Sequence, residues 1–143
     1  PVDVTQGIAA LRQSSAKTIA IANPRHAPYG RAAIAAMEHF NIYDDVKDRL
    51  VLGENVSQAA QFVESGAADI GIIALSLALA PAMSKKGTYW EIPTEAHPTL
   101  EQGAVIVKAS KRADSAKQFL EFVKSRQGAA IMTRYGFVAP GSR

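Results

Sequence analysis

The stretch Thr18-Ile19-Ala20-Ile21-Ala22-Asn23-Pro24-Arg25-His26-Ala27-Pro28-Tyr29-Gly30-Arg31 decides how this chain is read. Its first part is a short apolar run of the kind that forms a buried strand, placed here at Lys17–Ala22. Tyr29, Ala33, Ala36, Met37 and Phe40 then recur at helical spacing, which predicts a helix from Pro28 to about Phe40. Pro28 suits the first helical position, where its missing N–H costs nothing. The amides of Tyr29 and Gly30 are expected to lack partners inside the helix and to point out of its positive end. A tetrahedral oxyanion suits such a place.

Working outward, Gly7 to Gln13 reads as a short helix leading into that strand. Ile42 to Arg49 is polar and reads as a helical turn before a second strand, Leu50–Leu52. Asn55 fits an N-cap with Gln58 as its capping-box partner, and Val56, Ala59, Ala60 and Val63 form the apolar stripe of a helix that Gly66 ends. Asp69 to Ala74 reads as another apolar strand, followed by a helical run from Leu75 to Ala80 that Pro81 stops. Lys85-Lys86-Gly87 is a turn, Thr88 to Ile92 an alternating strand, Glu95 to Leu100 a loop, and Ala104 to Val107 a further buried strand. The tail is helical, with Ala116, Phe119, Leu120 and Val123 on one stripe and a second helix from Gln127 to Tyr135 after a break near Gly128. Strands alternating with helices argue an α/β fold, a parallel or mixed sheet covered on both faces.

The composition excludes several classes. At 143 residues, with 48% hydrophobic and 20% charged residues, the chain supports one compact domain with a real core. Its net charge of +3 comes from Lys and Arg scattered singly, not gathered on a face as a nucleic-acid binder requires, so no nucleic acid is expected as partner. The absence of cysteine rules out disulfides and thiolate metal sites. The longest apolar stretch, Ile70 to Met83, is too short to span a bilayer and is broken by Ser76 and Pro81. No signal peptide is visible and the chain begins at Pro1, so it reads as a processed form or a fragment.

Two strand-to-helix junctions stand out as candidate sites, Ala22–Arg31 and Leu52–Gln58. In open α/β sheets ligands bind beyond the carboxyl ends of the strands, where such loops converge. At the second junction Asn55 can cap its own helix while the Val56 amide stays free to donate outward. Two adjacent helix N-termini would make a neutral, preorganised donor cluster for a doubly charged anion. Every α/β protein has such junctions, however, and most bind only water. Arg25 and His26 read as exposed rim residues, and the dispersed His26, His39 and His97 have no metal-ligand spacing. Ser14, Ser15, Ser57, Ser76 and Ser110 lack a GxSxG setting, and Asp44, Asp45 and Asp48 read as a surface turn. No Walker or GxGxxG motif is present.

Asn23 to Gly30, then Gly53-Glu54-Asn55-Val56-Ser57-Gln58-Ala59-Ala60, then Gly66 to Ser76, together with the closing Arg134-Tyr135-Gly136-Phe137, resemble the molybdate-binding periplasmic receptors of ABC transporters. The resemblance covers nearly the whole chain. It implies a mixed, mostly parallel sheet covered by helices, the lobe of a type II periplasmic binding protein. It also implies a non-enzymatic periplasmic receptor with no cofactor, whose ligand is molybdate or tungstate and whose partner is the membrane permease of an importer.

The positions matching that family's second-lobe ligands are Tyr29 and Val56, both through backbone N–H, with Ala74 where many members carry a tyrosine. The resemblance further implies a hinge-proximal helix at 1–16, a ligand-binding lobe at 17–103 and a segment at 104–143 that returns to the first lobe. The hydroxyl-bearing turn that opens the family's first lobe has no counterpart here, so half a site is expected, and such a lobe could pair with itself. The rival readings are an enzyme on the same architecture, which would need a titratable group in the cleft, and the sensing domain of a regulator, which would need an attached DNA-binding element.

Overall fold

The computed structural model describes residues 2–139. They divide between Leu100 and Glu101 into two compact units.

The first unit is organised around strand β1, Ile19–Ala22, whose residues are all buried. Parallel strands flank it: β2, Leu50–Gly53, on one side and β3, Ile70–Gly71, on the other, giving the order β2-β1-β3. Ile19 pairs with Leu50 and Ala22 with Gly53 in one ladder, and Ile19 with Ile70 in the other. Successive residues of a strand face opposite ways, so β1 divides the core in two. Ile19 and Ile21 pack with Ala33, Ala36 and Met37 of helix α1, Pro28–His39, and with Ile8, Leu11, Ile42 and Val46. Ala20 packs with Ala59 and Ala68, flanked by Phe62 and Val63. Ala59, Phe62 and Val63 belong to helix α3, Val56–Glu64. Between α1 and β2 lie a short helix α2, Tyr43–Val46, and a 3-10 turn, Lys47–Arg49.

The connection from β1 to β2 moves one way along the sheet, and the one from β2 to β3 moves back past β1. Parallel crossovers keep a constant hand, so reversing direction puts the second helix on the opposite face. This is why α1 and α3 sandwich the sheet.

Two arginines fasten the periphery of this unit. The Arg49 guanidinium donates to the carbonyls of Leu11 (2.8 Å), Gln13 (3.4 Å) and Ala16, holding the end of the 3-10 segment Val4–Arg12. Arg12 pairs with Asp45 at 2.6 Å and donates to the Asn41 carbonyl at 2.8 Å. The expected Gly7–Gln13 helix therefore starts earlier and is kinked at Gly7, whose φ of 66° disfavours any side chain. A Cβ there would also press on the Trp90 ring at 3.1 Å.

Several sequence expectations are corrected. The Asp69–Ala74 strand is confined to Ile70–Gly71; Ile72 adds one bond to the Ala20 carbonyl, and Ala74 then caps helix α4, Leu75–Ala78. Pro81 does not only stop that helix but begins the next, α5, Pro81–Ser84, as a proline at N1 can. Thr88–Ile92 is irregular, with Trp90 edge-on to Phe40 at 6.4 Å. Ala104–Val107 forms no strand either, and Val105 is 88% exposed. An apolar run becomes a strand only where a neighbour offers a free edge, and the sheet among the described residues is wholly parallel as a result.

The second unit contains helices α6, Ala113–Lys124, and α7, Arg126–Arg134. The break falls at Ser125 and not at Gly128: the Ser125 hydroxyl accepts from the Gly128 N–H at 3.1 Å and donates to the Phe122 carbonyl at 2.6 Å. Of the expected stripe, Leu120 and Val123 are half-buried and Phe119 is 63% exposed. Among the described residues no helix is long and apolar enough to cross a membrane.

Candidate functional site

The carboxyl ends of β1 and β2 lie side by side, and their ladder runs one bond further, from the Asn23 N–H to the Gly53 carbonyl at 2.7 Å. From these adjoining ends the chain leaves on opposite faces, into α1 and into α3. This is a topological switch point, the place in an open α/β sheet where a crevice opens between two loops.

The first loop is a tight turn built on Asn23. Its carbonyl accepts from the N–H of His26 (3.4 Å) and of Ala27 (2.9 Å), and its side-chain oxygen accepts from the Arg25 N–H at 3.0 Å. Pro28 takes the first position of α1. Gly30 sits so close to the end of β1 that a Cβ would collide with the Ala22 carbonyl, which lets the helix begin directly over the strand. The Gly30 N–H is not free as expected; it donates to the Ala27 carbonyl at 3.0 Å, a 3-10 bond that tightens the first turn. The Tyr29 N–H has no hydrogen-bond partner among the described residues.

At the second loop Asn55 caps α3 as expected, its side chain accepting from the Gln58 N–H at 2.9 Å. The reciprocal bond falls one residue earlier than a capping box would place it: the Gln58 side-chain oxygen accepts from the Glu54 N–H at 2.6 Å. The Asn55 carbonyl accepts from the Ala59 N–H at 3.1 Å. Because a peptide's N–H lies opposite its C=O, the Val56 N–H on that same peptide points back out of the helix. It too has no partner among the described residues. Tyr29 and Val56 are both half-buried, at neighbouring helix tips.

The His26 side chain closes the arrangement. Its Nε2 lies 2.8 Å from the Glu54 carbonyl and 3.5 Å from a Glu54 carboxylate oxygen, so it joins the two loops instead of standing idle at the rim. Reading residues singly missed this, since only the pairing of β1 with β2 brings positions 26 and 54 together. The other histidines are elsewhere: His39 stacks edge-on against Phe40 at 4.9 Å, and His97 Nδ1 meets the Pro98 carbonyl at 2.9 Å. Among the described residues no group of His, Cys, Asp or Glu could hold a metal ion. The acidic turn pairs with bases at the surface, Asp44 with Lys47 at 2.8 Å and Asp45 with Arg12. The former pairing raises the Lys47 pKa. What the two junctions offer chemically is a pair of neutral N–H donors, fixed before any ligand arrives.

This chain belongs to the bacterial extracellular solute-binding proteins, whose family profile matches residues 1–138. It is 33% identical over 129 residues to the molybdate-binding protein ModA of Rhodobacter capsulatus, covering 90% of this chain and 50% of that one. It superposes on the periplasmic molybdate-binding protein of Azotobacter vinelandii with a TM-score of 0.85 and 34% identity, over 97% of this chain and 60% of that one. It also matches the substrate-binding domain of a putative molybdenum ABC transporter from Clostridium difficile, with a TM-score of 0.63 and 26% identity over 93% and 58% of the two chains. The chain thus spans about half the length of the curated relatives it matches.

Proposed function

We propose that this chain carries part of the oxyanion site of a periplasmic receptor that serves an ABC importer for molybdate or tungstate, and that it binds the anion through the backbone N–H groups of Tyr29 and Val56. The observation that carries this reading is the switch point itself: two helix N-termini, at the ends of adjacent strands, each with an outward N–H left over. Oriented amides at the positive end of a helix favour anions without needing a cationic side chain. The names of the relatives supply the anion, since several are molybdate-binding proteins.

On this reading residues 17–103 act as the second, ligand-binding lobe, residues 1–16 lead from a hinge, and residues 104–143 return toward the first lobe, which contributes the remaining donors. The receptor delivers its anion to a membrane permease and performs no chemistry on it. Tungstate is included because it has the same shape and charge as molybdate.

Titrating the 15N-labelled chain with molybdate, tungstate, sulfate and phosphate tests the reading. Molybdate and tungstate should move the amide resonances of Tyr29 and Val56 before any others. If the perturbed amides cluster elsewhere, or none responds, the assignment of the site is wrong.

A further inference from the structure

We infer that His26 is a positioning residue: its imidazole locks the loop before α3 to the loop before α1 and thereby aims the Val56 N–H, an inference that rests on the oxyanion-receptor reading above. A carbonyl oxygen only accepts, so the 2.8 Å contact with Glu54 requires the proton to sit on Nε2. The imidazole is itself presented by the turn that Asn23 ties to the Gly53 carbonyl, so its place is set by the ends of both strands.

Glu54 is then held from both sides. Its N–H donates to the Gln58 side chain, within α3, and its C=O receives His26, from the other loop. The peptide that carries that C=O runs directly into Asn55, whose own carbonyl and side chain are fixed by Ala59 and Gln58. With Glu54 gripped and Asn55 fixed, the Val56 N–H has one direction available. Releasing His26 would leave the helix capped but would free the loop, and with it the line joining the two amides, to shift relative to β1. A simple rim histidine would need no such contact with backbone on another loop.

Three substitutions separate these possibilities. In His26→Gln the side-chain amide nitrogen stands as many bonds from Cα as Nε2 does, so it can donate to the Glu54 carbonyl. His26→Asn falls one bond short, and His26→Ala donates nothing. The readouts are the Val56 amide resonance of the 143-residue chain, its displacement by molybdate and the thermal midpoint.

The Ala and Asn variants should shift the Val56 resonance without ligand and weaken molybdate binding roughly three- to tenfold, the size of one net hydrogen bond. The Gln variant should restore both. The thermal midpoint should scarcely change in any of them, because the His26 side chain is 51% exposed. Parent-like binding by the Ala and Asn variants would overturn the inference while leaving the receptor reading intact, and so would a loss that Gln does not rescue. If molybdate leaves Tyr29 and Val56 unmoved in the parent itself, the receptor reading falls and the inference falls with it.

Discussion

Thr18 and Asp69 clasp each other at the amino end of the sheet: both the N–H and the hydroxyl of Thr18 donate to one Asp69 carboxylate oxygen at 2.9 Å. The Asp69 N–H returns bonds to the Thr18 carbonyl at 3.0 Å and to its hydroxyl at 3.2 Å. The pair sets the register in which β3 joins β1, at the end of the sheet opposite the candidate site.

The Thr18 N–H, then its hydroxyl, hold the Asp69 carboxyl below its ordinary pKa. A carboxylate lowered on folding contributes its stability above the ordinary aspartate value, about 3.9. That contribution is lost as pH falls through the lowered one. Thermal midpoints measured from neutral to acidic pH should therefore decline less steeply in Asp69→Asn than in the parent. Parallel declines in the two proteins would show that this clasp is not linked to acid stability.

Arg49 should be hard to replace even by lysine. Its planar fork reaches the carbonyls of Leu11, Gln13 and Ala16 at once, and a single ammonium cannot match that geometry. Leaving part-buried carbonyls unpaired costs about 1–3 kcal/mol. Urea denaturation of Arg49→Lys should show a loss of that order. A lysine variant as stable as the parent would mean that water replaces the guanidinium without cost.

The roles of Tyr29 and Pro28 should separate under mutation. If the N–H of Tyr29 is the donor, Tyr29→Phe should bind molybdate nearly as the parent does. Pro28→Gly frees the first turn of α1 and should weaken binding, and it should also lower stability by ~0.4–1 kcal/mol because the unfolded chain gains freedom. Abolished binding in the phenylalanine variant would transfer the role to the hydroxyl.

In the complete receptor, with the first lobe's donors present, anion selectivity should follow size. Uncharged donors at fixed helix tips cannot close around a smaller ion, so sulfate should leave one or more unmatched at about 1–3 kcal/mol each. Two such losses amount to several tens-fold or more at ~1.4 kcal/mol per decade. Two amides alone, at about 1.5–3 kcal/mol for each bond to a charged group, imply a dissociation constant between about tens of micromolar and several millimolar for this chain by itself. Calorimetry with both anions would check the pair of expectations; equal affinity of the complete receptor for sulfate and molybdate contradicts the first, and submicromolar binding by this chain alone the second.

What could be read from the sequence was whatever a short segment settles alone. The β1 run, Pro28 at the first position of α1 and Asn55 capping α3 are local matters; the last two are found where the residues placed them, and the strand expected at Lys17–Ala22 is found at Ile19–Ala22, two residues shorter at its start. The resemblance to molybdate receptors, carried by the two junction motifs, led to the family. The strands expected at Thr88–Ile92 and Ala104–Val107 failed because pairing depends on a distant edge and not on composition. The Gly30 bond and the Gln58 bond to Glu54 escaped for a related reason, since each is decided by a fraction of a helical turn. His26 was visible as a residue but not as a link, because its partner is fixed by strand pairing.

The donors assigned to the anion belong to the main chain, and this separates the residues that touch the ligand from those whose identity sets its binding. Exchanging the side chains of Tyr29 or Val56 for anything but proline leaves an N–H in place. Exchanging Pro28, Gly30, Asn55 or Gln58 alters where that N–H points. On the proposed reading, a saturation scan of the junctions scored on anion binding would be quiet, proline apart, at Tyr29 and Val56 and loud at their neighbours, and drift at those two positions would leave the bound anion unchanged.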